Sequence, residues 1–303
     1  QGRNSMSLEG ILAIACTPYH DNLSLDYDSL QKEVEFIVAS GSQGVAFPIM
    51  ASEFYALSDE ERKKAVELVI KTTDGKLPVC VGVTGVNVNH SLGLAKHAQD
   101  AGADVLICMT PLNHSFDKAR KIEFFQKMNE TISIPLMIQN VAAYGTSPLS
   151  IDEAVTLLSE CENIRYLKEE VDPTIQRICE AADKGEGIIE GIFGGWGGLQ
   201  LLDDLRAGAN GNLPACQFTD VLGKIYQLWS EGEQQIANDL FIKVLPSIIY
   251  ESKLGLAFSM NILKKRGIVK NTIVRSHTVH PTGFDVDRMD SYLDELDEWL
   301  VKI

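Results

Sequence analysis

Positive charge is scarce in this chain. Its 27 lysines and arginines face 42 aspartates and glutamates, for a formal net charge of −15 at pH 7. Nucleic acids and anionic membrane surfaces are held by basic patches, so this balance argues against both as partners. If the substrate is an anion, local groups must hold it against the global field. Long hydrophobic runs are also missing. No stretch approaches the roughly 20 apolar residues that span a bilayer, and no secretory leader is visible, so a cytoplasmic location is expected. Residues 1–5, ahead of Met6, are set aside from the fold argument. The six cysteines form no CxxC pair and the six histidines show no ligand spacing. Neither a metal site nor a disulfide framework is therefore expected. Cys16, Cys80 and Cys108 sit within apolar runs and read as small core residues. No phosphate-binding GxGxxG follows the first apolar run. The glycine-rich stretch 191–198 lacks a P-loop lysine and reads as a loop rather than a phosphate cradle.

What the chain does have is alternation. Short apolar runs at 11–17, 44–48, 78–83, 104–109, 135–140, 164–170, 188–193 and 211–215 are separated by amphipathic stretches with helical period. The clearest of these stretches are 30–39, 59–72, 91–101, 119–131 and 151–161. Ser58 and Ser150, each followed by acids, are helix starts, and Gly41, Gly102 and Gly208 fall where helices end. Eight strand–helix units in series predict an α/β fold, a parallel (β/α)8 TIM barrel over residues 8–230. The remainder, 231–303, reads as additional C-terminal helices at 234–251, 254–265 and 285–301, packed on the barrel. An open doubly wound sheet is the weaker alternative, because the first strand lacks a phosphate loop.

Within the sixth run, Ile164-Arg165-Tyr166-Leu167-Lys168-Glu169-Glu170 holds a lysine in a stretch that otherwise reads as a buried strand. Desolvating an ammonium is costly, so a lysine kept in a core strand is either paired or neutral. A neutral amine is a nucleophile toward carbonyls, which points to Schiff-base chemistry. The other reading is a lysine salt-bridged to Glu169 or Glu170. Period-two alternation places Ile164, Tyr166, Lys168 and Glu170 on one face. Active sites of this fold lie at the C-terminal ends of the strands. By that rule Gln139 on strand five projects near Lys168. Tyr144 and Thr146 follow on the next loop, and the backbone of Ala51 and Ser52 after strand two is placed to bind a carboxylate. His114, after strand four, reads as solvent-exposed.

The chain resembles the dihydrodipicolinate synthase / N-acetylneuraminate lyase family. The resemblance is carried by Thr17-Pro18-Tyr19, Ser52-Glu53, Leu57-Ser58-Asp59-Glu60-Glu61-Arg62, Ala101-Gly102-Ala103-Asp104, Pro111, Ile134-Pro135, Asn140-Val141, Leu167-Lys168-Glu169 and Ala207-Gly208-Ala209-Asn210-Gly211. It implies that Lys168 is the Schiff-base lysine for a 2-oxo acid substrate, that no cofactor is needed, and that the assembly is a homotetramer. Two departures stand out. The family's Thr-Thr-Gly-Glu appears as Met50-Ala51-Ser52-Glu53, and its Tyr-Asn-Val-Pro as Gln139-Asn140-Val141-Ala142. The family's catalytic tyrosine is thus Gln139, and an amide is no general acid or base near neutral pH. The arginine that binds the second substrate of the synthases falls at Tyr144. These changes argue against synthase activity.

The pattern is closer to the L-2-keto-3-deoxyarabonate dehydratase branch, through Gln139-Asn140 with Gly145-Thr146, Phe54, Ala56-Leu57 and Glu190-Gly191. That resemblance implies imine formation at Lys168, loss of a C3 proton and expulsion of the C4 hydroxyl, giving 2-oxoglutarate semialdehyde. Lys168 and Gln139 are the expected catalytic residues, and Ala51, Ser52, Tyr144 and Gly191 the expected substrate contacts. Glu170, a water or the substrate carboxylate remain as proton carriers. The alternatives are an aldolase releasing pyruvate, a deaminase of a hydroxylated pyrroline carboxylate, and a non-catalytic sugar-acid-binding paralogue.

Overall fold

The computed structural model describes residues 8–112, 114–143, 145–276 and 278–302. Parallel strands close into a barrel in chain order. They are β1 (Gly10–Ile14), β2 (Gly44–Phe47), β3 (Val79–Gly82), β4 (Val105–Cys108), β5 (Leu136–Asn140), β6 (Ile164–Glu169), β7 (Gly191–Gly194) and β8 (Gly211–Asn212). The ladder closes where Gly10 lies opposite Gly211. Helices α1 (Tyr27–Ala39), α2 (Asp59–Thr73), α3 (Val88–Ala101), α4 (Lys118–Thr131), α5 (Ile151–Glu160), α6 (Thr174–Lys184), α7 (Leu201–Arg206) and α8 (Thr219–Ser230) follow the strands in turn. The fold is the (β/α)8 TIM barrel, extended by C-terminal helices α9 (Gln234–Leu254), α10 (Leu256–Lys265) and α11 (Gly283–Leu296). Among the described residues, no helix is long and apolar enough to cross a membrane.

Local chemistry sets the boundaries. Ser58 and Ser150 each accept the N–H three residues on, while Glu61 and Glu153 return the bond, so α2 and α5 start in capping boxes. Gly102 ends α3 at φ 100°, a conformation that side chains other than glycine rarely tolerate.

Three apolar layers follow from the strand faces. Leu12, Ile14, Ala46, Cys80, Ile107, Met137, Tyr166, Phe193 and Leu213 fill the barrel interior. The outward faces, with Ala13, Val45, Val81, Leu106, Ile138 and Leu167, pack on the surrounding helices. A separate cluster joins α8 to α9, α10 and α11 through Leu222, Ile225, Leu240, Val244, Ile248, Phe258, Ile262 and Met289. Burying each such side chain contributes about 1.5–3 kcal/mol, which docks the extension firmly on one flank of the barrel.

Two strands depart from expectation. In β6 the register against β5 shifts by one residue: Leu136 pairs with Ile164 but Met137 pairs with Tyr166. Arg165 is the extra residue of a bulge, so Ile164 joins the outer cluster instead of the interior face with Tyr166 and Lys168. β7 spans Gly191–Gly194 rather than 188–193. Ile188 is exposed and Ile189 sits beneath Gly185, so these apolar residues close the preceding loop.

Candidate active site

Register places the central pair. Gln139 lies directly opposite Lys168 across the β5–β6 ladder, and Phe193 lies opposite Lys168 on β7. Tyr166 and Phe193 meet edge to face, with centroids 6.3 Å apart, and form the apolar floor beneath the lysine. Lys168 itself is 2% exposed. A cation so buried needs a partner, and Glu170 supplies one: Nζ stands 3.0 Å from Glu170 Oε1. Gln139 Nε2 donates to the other oxygen, Oε2, at 2.8 Å. The Glu170 backbone is pinned as well, its N–H donating to Asn140 O at 2.8 Å and its carbonyl accepting from Trp196 Nε1 at 3.2 Å.

Glu169 takes a different role. It is fully buried on the opposite face, accepting from Asn140 Nδ2 and the Val171 N–H at 2.8 Å each, with Arg177 Nε 3.1 Å away. Of the two readings of Lys168, the structure bears on the ion-paired one: the lysine points into the barrel mouth, and its partner is Glu170.

Above Lys168 opens a cavity of about 500 Å³. Lys168, Glu170, Met50, Ala51, Tyr55 and Trp196 line its barrel side. The corner after β2 is a tight turn, Met50–Ser52, in which the Ser52 and Glu53 N–H groups bond back to Ile49 O and Met50 O. Ser52 Oγ is also committed, donating to Ala15 O at 2.6 Å and accepting the Ile49 N–H at 3.2 Å. Ser52 thus holds β1 to β2, while Ala51 faces the cavity. The C-terminal segment straps this corner down. Glu53 accepts the Ser276 N–H at 2.6 Å, and the Arg275 guanidinium reaches Glu61 at 2.6 and 2.8 Å. Arg275 holds the Glu61 carboxyl at about 2, far below its ordinary range.

The turn after β7 completes the mouth. Trp196 adopts φ 53°, a left-handed conformation that costs a bulky residue on the order of 1–2 kcal/mol, and is half exposed. Gly195 beside it has no room for a side chain: a Cβ there would lie 2.0 Å from Glu170 Oε1. The missing methyl is what lets the Glu170 carboxyl occupy its position.

Several expected site residues are placed differently. Gly191 opens β7 at the end of the barrel remote from the cavity, packed between Tyr166 and Phe193, so the substrate contact expected there is not available. Gln139 reaches the site through Glu170. Tyr144 lies outside the described residues. His114 bonds Val86 O at 2.9 Å near the surface. Sequence reasoning missed Trp196 and Glu251, which both line the cavity. Glu251 comes from α9 and accepts from Gln217 Nε2 at 2.7 Å and Ser259 Oγ at 3.3 Å. Burial pushes its carboxyl up to about 7. Nothing in the spacing near 251 marks it, because helix α9 alone carries it there.

One cluster of metal-capable side chains occurs among the described residues, Cys16, Glu33 and Cys216, all fully buried. Glu33 Oε1 accepts from the Cys16 N–H at 2.6 Å and from Cys216 Sγ at 2.9 Å. Burial raises Glu33 to about 7 and holds both thiols above their usual range. These are the bonds of a hydrogen-bonded core group, and none of the three lines the cavity above Lys168.

The Dihydrodipicolinate synthetase family model matches residues 7–279. L-2-keto-3-deoxyarabonate dehydratase from Azospirillum brasilense is 28% identical over 264 residues, 86% of this chain and 85% of that one. 4-hydroxy-tetrahydrodipicolinate synthase from Caldicellulosiruptor saccharolyticus is 27% identical over 274 residues, 90% of this chain and 86% of its own. Among solved structures, a putative dihydrodipicolinate synthetase from Pseudomonas aeruginosa superposes with a TM-score of 0.89 at 23% identity, covering 96% of this chain and all of the other.

Proposed function

We propose that this chain, which belongs to the dihydrodipicolinate synthetase family of lyases, is a Schiff-base dehydratase of a 2-keto-3-deoxy sugar acid. The substrate we assign is L-2-keto-3-deoxyarabonate and the product 2-oxoglutarate semialdehyde. The observation that carries this reading is Glu170, which touches Lys168 Nζ and Gln139 Nε2 at once, where the family pattern has a tyrosine at position 139. The similarity to the Azospirillum brasilense dehydratase supports the substrate class.

In this reading Lys168 passes a proton to Glu170 and attacks the C2 ketone as a free amine. Loss of water gives the iminium, which withdraws electrons from C3. The Glu170 carboxylate, already within contact of the nitrogen that becomes the iminium, takes the C3 proton and leaves an enamine. The enamine expels the C4 hydroxyl, which departs as water with a proton returned by Glu170. Loss of one proton from C5 and one from the C5 hydroxyl, matched by protonation at C3 and C4, converts the unsaturated iminium to that of the semialdehyde. Water then releases the product and frees the amine, for a net loss of one water. Gln139 transfers no proton; its N–H fixes the Glu170 carboxyl in rotation. The N–H groups that open the turn at Met50 and Ala51 are assigned to the substrate carboxylate. The assembly implied by the family resemblance, a homotetramer, is proposed with it.

An aldolase on the same lysine requires a base for the C4 hydroxyl proton and releases pyruvate. Product analysis by mass spectrometry after incubation with L-2-keto-3-deoxyarabonate separates the two. The semialdehyde without pyruvate supports dehydration; stoichiometric pyruvate refutes it.

A further inference from the structure

We infer that Glu251, with Gln217 and Ser259 behind it, forms a subsite for the hydroxylated, uncharged end of the substrate and so selects polyol-bearing 2-oxo acids over dianionic ones. The inference rests on Lys168 being the imine-forming residue.

Its starting point is the cavity. A substrate joined to Lys168 has its C1 and C2 atoms fixed on the barrel side, where Met50 and Ala51 stand. The rest of the chain must run toward the other wall, which the C-terminal extension supplies through Ile248, Glu251, Ser252 and Leu256. Glu251 is the one carboxyl on that wall. Its position relative to Glu170 is set by the turn after β7. Gly195 abuts Glu170, and a Cβ on Gly197 would lie 3.4 Å from Glu251 Oε2. The two glycines are separated by one residue and so by at most about 7 Å of chain. Each carboxyl therefore rests against one end of the same short turn, with Trp196 between them.

The chemistry of the wall selects the ligand. Glu251 accepts one hydrogen bond on each oxygen from the protein, and a carboxyl oxygen has capacity for another. Near neutral pH a share of it is protonated, so it both donates and accepts, which matches a hydroxyl group. Among the described lining residues Lys168 is the only cationic side chain. A second carboxylate on a 2-oxo acid would meet Glu251 and Glu170 with no cation of its own, and like charges at that range repel.

The experiment compares wild type, Glu251→Gln and Glu251→Leu. Each is titrated with pyruvate, L-2-keto-3-deoxyarabonate or 2-oxoglutarate, reduced with borohydride and read as adduct on Lys168 by peptide mass. Pyruvate has no distal group, and its half-saturating concentration is expected to stay within about twofold in both variants, which also reports that the variants fold. The sugar acid is expected to weaken about tenfold or more in Glu251→Leu and much less in Glu251→Gln, whose amide still donates and accepts. Glu251→Gln is expected to take up 2-oxoglutarate more tightly than wild type, a gain that a merely structural role would not produce. Parallel weakening toward pyruvate and sugar acid, or no change toward either, overturns the subsite. Failure of the wild type to trap pyruvate on Lys168 instead overturns the imine reading on which it rests.

Discussion

Lys168 Nζ and Glu170 Oε1 are 3.0 Å apart at the end of one strand, both pointing into the barrel mouth. Residues two apart in extended chain share a face, so the end of β6 and the residue just past it supply both the proposed nucleophile and the proposed base. The pair arises from local sequence alone. Its geometry is then fixed by two neighbours, Gln139 of β5 on the carboxyl and Gly195 of the turn after β7 against it.

Glu170→Gln separates the two roles. The amide leaves the site filled but takes up no proton. We expect kcat for dehydration to fall by about 10²–10⁴. Borohydride trapping of pyruvate on Lys168 should be slower but survive on long incubation, because water can take the Lys168 proton in place of Glu170, whereas nothing replaces it at C3. An enzyme with unchanged kcat would remove Glu170 from the mechanism.

Gly195→Ala tests the same carboxyl from the other side. The new methyl would overlap Glu170 Oε1 at 2.0 Å, so the carboxyl must rotate away from Lys168 and Gln139. Activity of the folded fraction should drop by about a hundredfold or more, beyond what any loss of melting temperature at this buried position accounts for. A loss of stability without loss of activity in the folded fraction would contradict this placement.

Stability should fall between about pH 4.5 and pH 7, and Glu33 is one cause. Its carboxyl titrates near 4.5 when unfolded and near 7 when buried in the native chain. Between those values the folded state keeps a proton that the unfolded state has released, so raising the pH favours unfolding; above about 7 the penalty is constant. The effect is on the order of 3 kcal/mol. Glu33→Gln preserves the acceptor for Cys16 and Cys216 and should flatten this part of the curve, measured by denaturant unfolding at several pH values. Asp204 and Glu251, also raised to about 7 by burial, will leave a residual slope.

Cysteine reactivity should be confined to one position. Cys16, Cys80, Cys108, Cys161 and Cys216 are buried, and burial raises the thiols of Cys80 and Cys108 to about 12. Cys179 is exposed on α6. Iodoacetamide at pH 8 should label Cys179 first, with the others modified only on unfolding. Rapid labelling of Cys80 or Cys108 in the native protein would show the barrel is open there.

Much of this was legible in the sequence, for a physical reason. Parallel barrel strands are covered on both faces, so they read as short apolar runs, and the capping boxes at Ser58 and Ser150 marked where helices begin. Lys168 stood out because a lysine contradicts such a run. The bulge at Arg165 was not legible, since the residue pattern alternates smoothly through it and only pairing with β5 reveals the slip. Gly191 entered through the dehydratase resemblance alone; the start of β7 there shows only in the structure, because loop residues Ile188 and Ile189 are as apolar as a strand. Glu251 was hidden for a different reason. Its neighbours along α9 give no sign of a site, and it reaches the cavity only because that helix packs on α8 beside the barrel.

The central claim is the imine, and reductive trapping tests it most directly. The wild-type chain is incubated with L-2-keto-3-deoxyarabonate, reduced with borohydride, digested and sequenced by mass spectrometry. The account predicts an adduct on Lys168 with a mass one water below that of the reduced substrate imine, or two hydrogens above that value where borohydride has also reduced the aldehyde, because dehydration precedes release. No adduct on Lys168, under conditions where the substrate is consumed, would contradict it.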